Sequence, residues 1–443
     1  MANNFVTNGP LVLEAIAIEL YNELQLAANV HRKLEDKFEM ERPQGEAKFG
    51  TMVTQKKPKR YRAADGPSFV SQDITEQTYN VNIDTWKHVG VELSVFESTF
   101  KTAEELMDKA GGIIKPSVMT LADQIDLALA GRSLDLWQVT GSPGVTPGDT
   151  SVAAMTTAQT QRDFVRANAI LAQQGVPEKM NRKGFYEPFA AGYIPVALSS
   201  LFVKEAQEAV TNGKVGHLLG VDMYKSVNFP YHTAGTYATN GTAVATPAVT
   251  GLNTNASAVT VNGANQTGAS ISVTGGAAGE TLKAGDIIQF GSNLSATHIS
   301  TYGAGIHPVN VVNGQVFANR AMTFVVTADV ALTGGAVNVP ISPSIITSGA
   351  YQNCSASPVN AATMLIYTSH QTNMVIVPET LALVCVPIKK LAGAVYCERI
   401  NYKDISLMLT IGADVKEMVD YARVDVIFGT AVMYGETGVR HMG

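Results

Sequence analysis

The eight histidines, at positions 31, 88, 217, 232, 298, 307, 370 and 441, are the side chains best suited to bind a metal or carry a proton, and they stand singly. No two share the His-x-x-x-His spacing that sets paired imidazoles on one helix face, and no Gly-x-Ser-x-Gly elbow presents a nucleophile. The glycines of GKVGHLLG lack the Gly-Lys-Ser/Thr tail of a phosphate loop. Asp123 and Asp126 lie one turn apart in a helical pattern and read as a solvated edge, not an acid–base pair. Cys354, Cys385 and Cys397 are odd in number and share no Cys-x-x-Cys spacing, which fits buried free thiols in reducing surroundings. The sequence therefore implies no catalytic residue, no cofactor site and no metal site.

The concentrated polar feature is KKPKRYR, with Lys56, Lys57, Lys59, Arg60 and Arg62 followed by Asp65 and the turn-prone Asp65-Gly66-Pro67. Two chemistries suit it. The cations could neutralise phosphates while Tyr61 stacks on a base. Alternatively they pair with acidic residues of a neighbouring subunit, giving register more than raw affinity. The net charge of −6 favours the second.

The elements that must position this cluster are legible in the patterning. The chain has 443 residues, 46% hydrophobic and 16% charged, which describes a folded protein with material for two or three domains. No apolar run is long enough to span a bilayer, and MANNFVTNGP lacks the basic and apolar regions of a signal peptide, so no membrane partner is expected. From Pro10, apolar residues at Leu13, Ile16, Leu20, Leu24, Ala27 and Leu34 predict a helix, which runs into a charged, solvated arm. The basic cluster falls between two strand-like arms. Tyr79, Val81, Ile83, Val89, Val91, Leu93 and Val95 then predict one long strand with a single buried face. Thr102 to Gly131 follows as a helix, opened by a Thr102–Glu105 capping box and striped by Ile114, Val118, Leu121, Ile125 and Ala128 or Leu129. Gly111–Gly112 and Pro116 interrupt it.

GSPGVTPG, 141–148, reads as a plain linker, 161–174 as an amphipathic helix, and the stretch from Asn181 as strand, turn and helix. From Tyr231 to Ser348 the charged residues are only Glu280, Lys283, Asp286, Arg320 and Asp329. Short apolar runs alternate there with turn signals, and Val311–Phe317 around Asn313-Gly314 is a hairpin signature. That predicts a small all-β barrel or sandwich inserted into a mixed domain, which resumes from Gln352.

Several stretches, in order, resemble the coat proteins of short-tailed phages of the Salmonella podovirus type. They are KFGTMVTQKKPKRY, QDITEQ, IDTWKHV, IIKPSVMTLADQID, GVDMYKSVNFPYHTAGT, YQNCSASP and RVDVIFGTAVMYGETGVR. The resemblance implies an α+β major capsid fold of the Hong Kong phage type with an inserted small β-barrel domain. Its parts would be an N-terminal arm (1–44), an extended β loop (45–76), a peripheral domain with a spine helix (77–140), an axial domain (141–230), the insertion (231–348), and a return through axial and peripheral domains (349–443).

Such a protein performs no bond chemistry. It assembles with itself, as hexamers and pentamers, into an icosahedral shell around double-stranded DNA, which it touches weakly and without sequence preference. A scaffolding protein and a portal protein are implied as partners. The virion capsid is its place, and the host bacterial cytoplasm its site of assembly. The arm 10–37 and the loop 49–71, with Lys56, Lys57, Lys59, Arg60, Arg62 and Asp65, are the expected subunit contacts. The alternatives are the shell protein of a cellular nanocompartment and a β-rich adhesive or fibre protein.

Overall fold

A computed structural model describes residues 24–32, 52–61, 66–67, 69, 71, 76–94, 119–151, 156–177, 180–198, 217–218, 220–240, 242–243, 252–254, 258–291, 306–310, 314–317, 320–391, 393–394, 396–414 and 419–443. The chain divides into two units, each drawn from several stretches. One takes 1–56, 78–130 and 381–433, and the other takes 57–77, 131–380 and 434–443.

The first unit is built on the 14-residue strand Val419–Val432. Along one edge it pairs antiparallel with Thr85–Ser94, from Val419↔Ser94 to Phe428↔Thr85. Along the other it pairs with Ile405–Asp414 and then with Leu381–Cys385. The single long strand expected from Tyr79 to Val95 is two, Thr78–Asn82 and Thr85–Ser94, although Tyr79 and Val81 are buried as the alternation requires. Thr78–Asn82 closes over the sheet at Gly429, where a Cβ would collide with the Asn82 carbonyl oxygen.

Helix 119–131 carries the expected stripe, with Leu121, Ile125 and Leu129 fully buried. The earlier part of that helix, 102–118, lies outside the described residues. Asp126 corrects the expectation of a solvated edge, because only 4% of it is exposed. Its carboxylate accepts the backbone N–H groups of Gln25 (2.8 Å), Leu26 (3.1 Å) and Ala27 (2.9 Å). Burial drives its pKa above the ordinary carboxylate range, against the pull of those three donors.

The N-terminal segment differs accordingly from the expected continuous helix. The described stretch 24–32 holds one short 3-10 turn, Ala27–Asn29, and Asp126 accepts its first N–H and the two N–H groups just before it. Leu24, Leu26, Ala27 and Val30 are buried. His31 bridges to the sheet, receiving the Leu383 N–H at 3.1 Å and donating to the Leu381 carbonyl at 3.2 Å. This part of the arm is thus a strap packed on its own unit. Residues 1–23 and 33–51 lie outside the described residues.

The second unit holds a mixed sheet and a barrel. In the sheet, Val139–Gly141, Gly438–Met442, His370–Ile376, Arg182–Tyr186, Val221–Lys225 and His217–Leu218 lie in that order. Its core includes Phe164, Ile170 and Leu171 of the helix Thr157–Gln173 and Ala190, Ala191 and Ile194 of the helix Pro188–Leu198. Thr156 caps the first of these, its hydroxyl accepting the Gln159 N–H at 3.2 Å. The stretch 141–148 is no plain linker: Ser142, Pro143, Pro147 and Gly148 are buried, and Gly144 N–H donates to the Gly443 carbonyl at 3.0 Å.

The insertion is a closed antiparallel barrel. Thr260–Val261, Gly268–Thr274, Val337–Ile345, Thr323–Val326, Ile287–Gly291 and Thr363–Tyr367 follow one another, and Thr260↔Thr363 completes the ring. Alternation fills it with Val261, Ile271, Val273, Ile288, Phe290, Phe324, Val339, Ile341, Met364 and Ile366. Its last strand lies beyond the expected segment 231–348, so the barrel reaches Tyr367. Gly314, at a φ of 74°, turns the chain between Val309 and Val316, which form an isolated bridge where the hairpin was expected. Val311, Val312 and Asn313 are outside the described residues.

Charge in this unit is buried and tied to backbone. Arg440 is fully buried and donates to the carbonyls of Ser133 (3.0 Å), Gly285 (3.0 Å) and Leu134. Asp286 accepts the Lys283 N–H (2.7 Å) and lies 2.8 Å from His232 Nε2, tying the barrel to the strand Tyr231–His232.

Candidate functional site

The basic cluster begins where a two-stranded ribbon ends. Met52–Lys56 pairs antiparallel with Thr78–Asn82, from Met52↔Asn82 to Lys56↔Thr78. The ladder runs one bond further, Lys57 N–H donating to the Gln77 carbonyl at 2.7 Å. Pro58 has no N–H to continue it.

Lys56 and Lys59 are exposed and Lys57 is half-buried. Lys59 Nζ lies 3.2 Å from Glu76, with both side chains 44% exposed, a pair that water screens heavily. Arg60 is held more closely. It donates through Nη2 to Glu436 Oε1, and the two side chains are only 27% and 21% exposed. Its guanidinium carbon also stands 5.7 Å from the centroid of the Tyr351 ring. Arg62 and Asp65 lie outside the described residues.

The groups that receive Arg60 are themselves fixed. Glu436 sits on the 3-10 turn Gly435–Thr437. The Gln138 side-chain amide donates to the carbonyls of Glu436 (2.6 Å) and Gly438 (3.2 Å), while its oxygen accepts Arg320 Nη1 at 3.1 Å. Thr380 Oγ1 donates to the Thr437 carbonyl at 3.0 Å. Beside Tyr351, Asn353 folds the chain back by accepting the Ile346 N–H (3.0 Å) and donating to the Ser344 carbonyl (2.8 Å).

The acidic partners expected from a neighbouring subunit are therefore met, for Lys59 and Arg60, within the same chain. Sequence reasoning singled out the cations and missed Glu436, Tyr351 and Gln138. Two of these lie in stretches quoted for the family resemblance, YGETG and YQNC, but nothing in their spacing announces that they meet Arg60.

Among the described residues, no three His, Cys, Asp or Glu side chains gather as a metal site. Burial is the leading cause of the shifts at His370, His441, Asp163 and Cys354. His370 is held down to about 3 by burial, with Arg440 beside it adding to the shift, and His441 to about 4 by burial. Burial raises Asp163 to about 6, against the Gln159 amide that bonds it. Cys354 and Cys385 are buried free thiols, and burial lifts that of Cys354 to about 12.

The chain is similar to a solved structure from Mycobacterium phage Che8, with 11% identity and a TM-score of 0.44 over 94% of this chain and 90% of that one. It is similar to the capsid of cyanophage P-SCSP1u, with 11% identity and a TM-score of 0.41 over 89% and 84%. It is similar also to the capsid of Ralstonia phage GP4, with 9% identity and a TM-score of 0.40 over 88% and 82%. No curated protein matches the chain. The family model described as P22 coat protein, gene protein 5, matches residues 1–443, and that full-length match carries the assignment. The chain belongs to the P22 coat protein family and is a major capsid protein, a structural subunit that assembles with its own copies into the shell of a tailed phage.

Proposed function

We propose that the shell encloses double-stranded DNA and is laid down in the host bacterial cytoplasm, on a separate scaffolding protein and around a portal. The observation behind this reading is the family match from the first residue to the last. The net charge of −6 supports weak, sequence-independent contact with the packaged DNA. Expressed with a scaffolding partner, the chain is expected to give closed shells by negative-stain microscopy, and irregular assemblies without it. Trimeric rods, or shells that hold an enzyme and no DNA when isolated from infected cells, would overturn the reading.

The basic loop is proposed as the place where neighbouring copies meet, through Lys56, Lys57, Lys59, Arg62 and Asp65, with Arg60 at its root. Exposure of Met52, Thr54, Lys56 and Lys59 supports this. Stable interfaces bury roughly 1,200–2,000 Å², and a lattice works with several weaker ones acting together, so that misplaced subunits can leave. Each loop contact then contributes register, and the closed arrangement supplies the affinity. The division into arm, loop, peripheral, axial and inserted parts is kept as the functional division, with the barrel carried to Tyr367.

A further inference from the structure

Arg60 differs from the other cations of the loop, and we propose that it is a positioning residue which pins the root of the loop to its own chain. The rest of the loop is then presented to the next copy from a fixed root. This inference rests on the reading of the loop as a subunit contact.

Three observations meet at its guanidinium. It donates to Glu436, it faces the ring of Tyr351, and it is nearly three-quarters buried between them. The other ion pair of the loop among the described residues, Lys59–Glu76, is far more open, with both side chains 44% exposed. Turning Arg60 toward another copy would leave the 21% exposed carboxylate of Glu436 without its cation. Stripping one partner from a half-buried pair is the costly way to break it.

The anchor also lies where the loop needs one. Strand pairing stops at Lys57 and Gln77, and the described residues 58–61 have no ladder to hold them. A loop ordered only when a partner arrives loses that ordering cost from its affinity, whereas one ordered beforehand does not. Arg60 grips two elements distant in sequence, the turn Gly435–Thr437 and the segment after the barrel strand Val337–Ile345. Gln138 joins that turn to Arg320, which precedes another barrel strand, Thr323–Val326. The placement of the loop is thereby made to depend on a folded insertion.

The test uses the full-length chain carrying Arg60→Glu, Glu436→Arg, or both, with Arg60→Ala and Glu436→Gln as a milder pair should the reversals misfold. Hydrogen exchange is read on the unassembled subunit, and shell shape by electron microscopy. Each single change is expected to speed exchange over 57–61 and 434–438 about tenfold and to give irregular shells, and the double reversal to restore both. Unchanged exchange in the Arg60→Glu subunit overturns the anchor. Faster exchange with normal shells overturns its positioning role. Normal shells from a mixture of the two single variants, each of which fails alone, would place the pair between copies and overturn the proposal. Lys56→Glu with Lys57→Glu tests the loop separately: shells indifferent to that change sink the contact reading, while the exchange result for Arg60 still stands.

Discussion

Three backbone N–H groups converge on one carboxylate at Asp126, and those donors belong to a segment a hundred residues earlier. Asp126→Ala would strand buried donors and is expected to cost roughly 3 kcal/mol, read by urea unfolding together with faster exchange at Gln25–Ala27. Asp126→Asn keeps one acceptor oxygen and should cost less. The helix that carries Asp126 was plain from the spacing of Leu121, Ile125 and Leu129. The burial of Asp126 was not, because an aspartate beside an apolar stripe looks the same whether water or a distant N-terminal segment covers it. Asp163 illustrates the reverse cost. Its pKa is raised by burial to about 6, so the stability it contributes is complete below its unfolded value and is lost as pH rises through 6. Asp163→Asn, which mimics the protonated acid, should therefore stabilise the protein by about 2 kcal/mol at pH 7 and by almost nothing at pH 4. Thermal or denaturant unfolding at the two pH values checks this.

Among elements, the barrel was the most legible and its boundary the least. Alternation in DIIQF and MTFVVT gives Ile288, Phe290, Phe324 and Val326 an inward face whatever the topology. The closing strand is TMLIY, an apolar run that suits equally a buried strand of the resumed domain, and only long-range pairing with Ile287–Gly291 and Thr260 decides between them. Removing Tyr231–Ser348 would leave Thr363–Tyr367 with both edges unpaired, and exposed edges recruit other chains. That deletion is expected to give insoluble protein, measured as the soluble fraction after expression, whereas a deletion that also takes 363–367 should give more soluble product. Gly429 sets a comparable limit in the other unit. Gly429→Ala must push Thr78–Asn82 off the sheet, at about 2 kcal/mol and with faster exchange at Tyr79 and Val81.

At the level of the molecule, buried bases and buried acids shift stability with pH in opposite directions. His370 and His441 titrate far below the usual histidine range, so the stability they confer holds above their unfolded value near 6.5 and drains away as pH falls toward 4. Asp163 acts in the opposite sense over part of that window. Moving from pH 7 to pH 5 is expected to lower the urea midpoint of the unassembled chain less than the two histidines alone would, because Asp126, also raised by burial, offsets them as well. Family membership was readable from the order of dispersed stretches along the chain. The own-chain partners of Lys59 and Arg60 were not, since charge complementarity in a sequence says nothing about whose acid is nearest.

The barrel strand ends at Tyr367 and the sheet strand begins at His370, leaving Thr368 and Ser369 as the joint between them. Ser369 Oγ accepts the Ala234 N–H at 3.0 Å, which ties that joint down. A label or payload fused to the insertion would inherit the orientation of its subunit, and a tug on it would load the sheet strand His370–Ile376 directly. Single-molecule pulling from the barrel should then show no soft stretch before the first rupture.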